Sequence, residues 1–280
     1  MPLLSSVLAW PDAFAVFGSL GVLLGAVCLM QARKLPVGSD AALLESQTDA
    51  GPSGGDAEAS KVAKDRPADG KFRWAELPEY AALIWAHSVI GWGFFLFQNW
   101  LPTFLQHMDV SHPINRGLLS AMPWIAPAVL SFVFRSCFEV LRNRGMSAYK
   151  SQTIAHTIAC LGAATALIPL AVADSVAPAV GLACIGVTLA LQTCNYSGFH
   201  AYVQHFFADR AGALLGVTNS CGIVVGMVAN LAMGWTLTAT GSYQSMFAIT
   251  AVLYASSWLL WMVLLHKRRS VVSGLSLIHI

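Results

Sequence analysis

The stretch Gly212-Ala-Leu-Leu-Gly216-Val-Thr-Asn219-Ser-Cys-Gly222-Ile-Val-Val-Gly226-Met-Val-Ala-Asn230-Leu-Ala-Met-Gly-Trp235 decides the fold class. Its 24 residues carry no charge. As an α-helix it reaches about 36 Å, more than the roughly 30 Å of hydrocarbon in a bilayer. Similar runs lie at 79–104, 117–138, 152–173, 177–199 and 244–265, and a shorter one spans Phe14 to Met30. Seven such runs in one chain predict an all-α, polytopic transmembrane helix bundle.

Composition agrees. Of 280 residues, 56% are apolar and only 11% charged, against about 25% charged in a soluble domain. The mean hydropathy is +0.62. Six cysteines lie within or beside the apolar runs without a C-x-x-C pair, so they read as small buried residues. The first run lacks a basic residue ahead of its apolar core, and Arg33 and Lys34 follow it, so it reads as a span rather than a signal peptide. The polar stretch 31–78, with Gly51-Pro52-Ser53-Gly54-Gly55-Asp56, cannot bury enough apolar surface to fold and is expected to be a disordered linker.

Lys and Arg placement orients the bundle. Counted on alternate sides of the seven runs, fifteen basic residues fall on one side, including Arg33, Arg135, Arg142, Arg144, Lys150 and Arg210; the other side holds only Arg116. The linker and the C-terminal end are therefore expected on the cytosolic side.

Polar groups inside spans are costly and are functional candidates by default. Here they include His87, Gln98 and Asn99, then His156, Gln192, Asn195 and Asn219. Each alone reads first as an interhelical packing contact. Gln98 and Asn195 sit beside aromatics: Trp92, Phe94 and Phe95 for the first, Tyr196 for the second. Trp92, Phe95, Gln98, Asn195, Tyr196 and Asn219 are the candidate lining of a cavity for a polar solute. Arg135, near a span end, is expected to snorkel to the interface. Gly21/Gly25, Gly212/Gly216 and Gly222/Gly226 each put two small residues on one helix face, as close helix packing requires. Pro123 and Pro127 are expected to bend the third span.

No G-x-S-x-G, H-E-x-x-H, P-loop or intraspan aspartate pair is found, so an enzyme is not expected. No filter-like loop points to a channel. Nothing calls for a metal ion, a cofactor or nucleic acid. The expected partners are the lipid bilayer and a small solute.

One helix, a long linker and six more helices is the layout of a twelve-helix carrier from its sixth helix onward. The residues sharpen that likeness. Trp10-Pro-Asp-Ala-Phe-Ala-Val-Phe-Gly-Ser-Leu-Gly21 resembles the sixth helix of the anion:cation symporters of the major facilitator superfamily. Trp92-Gly-Phe-Phe-Leu-Phe-Gln-Asn-Trp-Leu-Pro102 resembles their seventh, and Gly117-Leu-Leu-Ser-Ala-Met-Pro123-Trp the start of their eighth. Glu139-Val-Leu-Arg-Asn-Arg-Gly145 is similar to their loop between helices eight and nine, and Gly212-x-x-x-Gly216-Val-Thr-Asn219 to their eleventh helix. That family includes sodium–phosphate cotransporters, sialin, vesicular glutamate transporters and plant plastid anion transporters. Two positions depart from it: Ile90 stands where many members carry Arg or His, and Val203-Gln204-His205 stands where His-x-Asp is common.

The resemblance implies a secondary transporter of a small organic or inorganic anion, coupled to H+ or Na+, in a plastid, vesicular or plasma membrane. It implies a cytosolic gate at Glu139, Arg142 and Arg144. It assigns 1–30 to helix six, 31–78 to the cytosolic linker and 79–269 to the six-helix C-terminal half. The tail 270–280 reads as an end that is not native. Half a carrier plus one helix encloses no pathway, so the chain is expected to be a fragment, or to work with a missing N-terminal half. The alternatives are a non-transporting truncated membrane protein and a carrier of sugars or cations.

The topology is directly testable. A single cysteine at about position 50 should react with an impermeant maleimide from the cytosolic face alone, and one beside Arg116 from the opposite face alone. Reaction of both from one face would remove the assigned orientation.

Overall fold

The computed structural model describes residues 10–32, 76–110 and 112–266. The predicted linker lies almost wholly, and the 270–280 tail wholly, outside the described residues. Among the described residues the secondary structure is all helical. The first helix, α1, covers Trp10–Ala32 and coincides with the first predicted run. Six helical segments that follow are long and apolar enough to cross a membrane.

Those six are built as follows. Helix α2 is Leu77–His107. Helix α3, Pro113–Ala121, passes through the tighter turn Met122–Trp124 into α4, Ile125–Asn143. Helix α5, Ala148–Thr157, passes through a wider π-type turn, Ile158–Gly162, into α6, Ala163–Val172. Helix α7, Pro178–Gln192, breaks at Thr193–Tyr196 and resumes as α8, Phe199–Phe206. Helix α9 is Ala211–Thr240, and α10 is Gln244–Leu260 with a final wide turn to His266.

Local chemistry sets the ends. Pro78 and Pro178 stand in first turns, where their missing N–H costs nothing. The Ser147 side chain accepts from the Lys150 amide to cap α5. Gly241 closes α9 in the left-handed conformation, at φ 66°, and its N–H reaches the Leu237 carbonyl. Pro123 sits buried in the tighter turn between α3 and α4, while Pro127 is accommodated in the first turn of α4.

The helices match the apolar runs but extend further at the basic end. The run 117–138 becomes a helix to Asn143, and 177–199 continues to Phe206. The extra turns carry polar residues such as Arg142 and Gln204, which hydropathy excludes. Backbone hydrogen bonding nevertheless continues into the interface.

Three apolar clusters form the interior, the smallest being Phe138, Ala155, Ala159 and Cys194. One joins Leu96, Phe97 and Leu101 of α2 to Leu167 of α6, Ile185 of α7 and Phe247 of α10. A second, at the basic end, joins Leu83 to Phe199, Tyr202, Leu214 and Trp261. A polar clasp supplements the second. Arg210 pairs with buried Glu76 at 3.2 Å, Tyr80 donates to Glu76 at 2.8 Å, and Tyr202 donates to Glu79 at 2.5 Å. It ties the start of α2 to α8 and the start of α9.

The most extensive helix pairing is α2 with α9. At its crossing Gly91 lies against the Gly222 backbone, and a methyl on Gly91 would collide with the Gly222 carbonyl oxygen. Gly226 leaves room for the Phe95 ring in the same way. Of the other two small-residue pairs, Gly212/Gly216 and Gly21/Gly25 face open space among the described residues.

Gly91→Ala should therefore force α2 and α9 apart, because the obstacle is backbone rather than a movable side chain. A cost of about 1–3 kcal/mol, typical of overpacking, should lower the melting temperature in detergent by several degrees. Gly216→Ala should leave it unchanged. Equal melting of both variants would remove the crossing as a fixed contact.

Candidate functional site

The mid-points of five spans fall near Trp92, Val129, Gln192, Val225 and Tyr254. A cavity of about 520 Å³ opens at that depth, bordered by Phe95, Trp124, Gln192, Tyr196, Asn219 and Tyr254, among others. Two of the three chain breaks border it, at Trp124 and at Thr193–Tyr196. Its wall holds no charged carboxylate, Lys or Arg among the described residues. His87 and His200 also face it, with ring centroids 5.5 Å apart. His87 Nδ1 is 2.8 Å from Thr218 Oγ1.

The broken segment is held by a buried polar network. His156 Nδ1–H donates to Asn195 Oδ1 at 2.9 Å, and Asn195 Nδ2 donates to Gln192 Oε1 at 3.0 Å. Gln192 Nε2 then donates to the Ala159 carbonyl at 2.8 Å, in the wide turn of the neighbouring span. Ser257 lies 3.4 Å from His156 Nε2, and the His156 ring stacks on Trp261 at 4.2 Å. Inside a membrane each of these groups would otherwise be unsatisfied. Gly198 permits the approach: a side chain there would press on the His156 backbone nitrogen at 2.8 Å.

A second, more polar cavity of about 940 Å³ adjoins the first, sharing Ser131, Tyr196 and His200 with it. It runs toward the basic end along α4, past Arg135, Glu139 and Arg142, with Gln152 and Gln204 across from them. Ser131 to Arg142 is eleven residues, about 16 Å of helix rise. A mid-depth cavity and a polar vestibule thus lie side by side, the vestibule on the side rich in Lys and Arg.

The sequence candidates distribute as follows. Phe95, Asn195, Tyr196 and Asn219 border the mid-depth cavity. Asn195 is 3% exposed and committed to the His156 network, whereas Tyr196 is 61% exposed. Trp92 stands outside the cavity wall; its indole N–H donates to Thr250 Oγ1 at 3.1 Å and joins α2 to α10. Gln98 is exposed and lies outside both cavities. Glu139 and Arg142 border the vestibule, and Arg144 is exposed in the turn after α4. Arg135, expected to snorkel, borders the vestibule too. His200 and Gln152 were not legible as cavity residues, because both stand at the edges of apolar runs where polarity reads as interface.

Two adjoining cavities in a bundle of helices long and apolar enough to cross a membrane define the class: a polytopic helical membrane protein. Residues 1–230 match the family model described as Major Facilitator Superfamily. The chain belongs to that superfamily, whose members are transporters rather than enzymes. It is 29% identical over 269 residues to "Probable anion transporter 1, chloroplastic" of Oryza sativa subsp. japonica, covering 93% of this chain and 47% of that protein. It is 28% identical over 263 residues to "Sodium-dependent phosphate transport protein 1, chloroplastic" of Arabidopsis thaliana (93% and 49%). The same identity and length hold for "Ascorbate transporter, chloroplastic" of Arabidopsis thaliana (93% and 46%). The chain spans about half the length of the curated relatives it matches. These relatives agree with the anion:cation symporter resemblance in the sequence.

Asn195→Ala should strand His156 and Gln192. Losing partners for buried polar groups costs about 1–3 kcal/mol. The melting temperature should fall by several degrees, while Tyr196→Phe should leave it unchanged. A stable Asn195→Ala protein would mean that water or a rotated neighbour replaces the network.

Proposed function

We propose that this chain forms the C-terminal half of a secondary transporter for a small organic or inorganic anion, coupled to H+ or Na+. The observation that supports it most is the pair of adjoining cavities, one at mid-depth and one at an arginine-bearing mouth, with Ser131, Tyr196 and His200 between them. Positive charge at the mouth raises the local concentration of anions. The deeper cavity, apolar with amide and ring groups, has the character of a small-solute site. The printed names of the relatives, which include anion, phosphate and ascorbate transporters, favour the same class.

In this reading Phe95, Tyr196 and Asn219 contact the solute, and Asn195 positions the broken segment beneath them. Trp92 holds α2 against α10. Gln98, outside the cavities of this half, is available to the opposing half of the carrier. Glu139, Arg142 and Arg144 form the cytosolic gate. An acidic group there can interact with a neighbouring helix N-terminus by a fraction of a kcal/mol to about 2. The opposite wall and the alternating access come from an N-terminal half, of which α1 is the sixth helix, rocking against the C-terminal six helices.

The test is uptake by the protein purified in its native membrane form and reconstituted in vesicles. Labelled phosphate and ascorbate should accumulate under an inward Na+ or H+ gradient. Glu139→Gln should slow uptake without changing the melting temperature. Uptake of sugars or cations alone would replace the anion reading, and uptake of nothing would favour a non-transporting membrane protein. Unchanged uptake by Glu139→Gln would remove the gate role.

A further inference from the structure

We propose that the vestibule at the basic end is a binding site in its own right, built for a polyhydroxylated monoanion, with Arg135 as the charged contact and Gln152 as the group that reads the hydroxyls. Its role as a first docking point rests on the transport reading above; its existence as a site does not.

Gln152 carries the proposal. It is 2% exposed, in the second turn of α5, yet it borders the vestibule. Neither its Oε1 nor its Nε2 has a hydrogen-bond partner among the described residues. A buried amide left so costs about 1–3 kcal/mol per group, and native structures rarely tolerate it without a reason. A methionine of similar size would fill the position without that cost. An amide offering one donor pair and one acceptor suits a ligand hydroxyl, which can both accept and donate.

The charges on α4 restrict the ligand further. Arg135, Glu139 and Arg142 lie at i, i+4 and i+7, on one face. The two arginines are seven residues apart, about 10 Å along the axis. Glu139 stands between the two arginines, so a single anionic group is best placed beside one guanidinium rather than between both. Arg135 is the deeper of the two, nearer Ser131 at the junction with the mid-depth cavity. Glu139 between them repels a second negative charge and accepts from hydroxyls. Ser151 and Ser197 add neutral hydroxyl groups to the wall. A volume of about 940 Å³ lies in the range that organic ligands occupy.

The test reads Arg135 directly. The native protein is treated with phenylglyoxal, and the adduct at Arg135 is measured by peptide mass spectrometry as gluconate is added. Gluconate should protect Arg135, and inorganic phosphate should protect it much more weakly. Gln152→Met should raise the half-protecting gluconate concentration about tenfold, the loss expected for one buried polar contact. Gly216→Ala, outside both cavities, should leave that concentration unchanged. If Gln152→Met does not fold, Ser197→Ala should shift it in the same direction. No protection by gluconate, equal protection by phosphate, or indifference to both vestibule variants would overturn the proposal. Anion uptake measured on the same preparations keeps the two readings apart. Uptake without Arg135 protection sinks the vestibule site alone. Protection without uptake supports the site and sinks the transport reading alone.

Discussion

The close crossing of α2 and α9 sets the dimensions of everything around it. Between lipid-facing helices there is no hydrophobic force of the kind that packs a soluble core, because lipid is as apolar as leucine. Contact must come from close approach and from polar groups with nowhere else to go. Gly91 and Gly222 supply the approach, backbone against backbone. His87 and Thr218 join the same two helices one turn away, toward the basic end. Because the walls are fixed there, Phe95 and Asn219 face a common cavity instead of closing it.

The second organising feature is the interruption of three spans near mid-depth. A broken helix leaves backbone groups that lipid cannot satisfy, so such breaks survive only beside protein or a polar cavity. Here the break at Thr193–Tyr196 is braced by His156, Asn195 and Gln192, and the Ala159 carbonyl in the wide turn next door accepts from Gln192. One network thus supports two breaks. Tyr196 and His200 remain directed at the cavity because Asn195, between α7 and α8, is locked into the interior.

Charge is distributed by depth. The mid-depth cavity is bordered by rings, amides and hydroxyls, while arginines and a glutamate appear only as the space widens toward the basic end. This gradient follows the rising cost of charge toward the centre of the bilayer.

The sequence by itself determined the elements. Apolar runs of about twenty residues read as spans, so the six spans from α2 to α10 were legible, with ends up to seven residues short at the basic end and the breaks within them unread, and the family resemblance agreed with the superfamily match over residues 1–230. Gly222 and Gly226 were legible as a packing face, yet Gly212 and Gly216 gave the same signal without a close contact among the described residues. Spacing shows which side of a helix is small, not which neighbour it meets. The cavity residues were half legible. Phe95, Asn195, Tyr196 and Asn219 were found as polar or aromatic groups inside apolar runs, but Trp92 and Gln98 carried the same signal and lie outside the cavity wall. His200, Gln152 and Arg135 stand where an apolar run ends, and there a polar residue reads as interface. Only the tertiary structure decided that these ends curve around a vestibule, because facing a cavity depends on how separate helices cross, and a linear pattern does not hold that information.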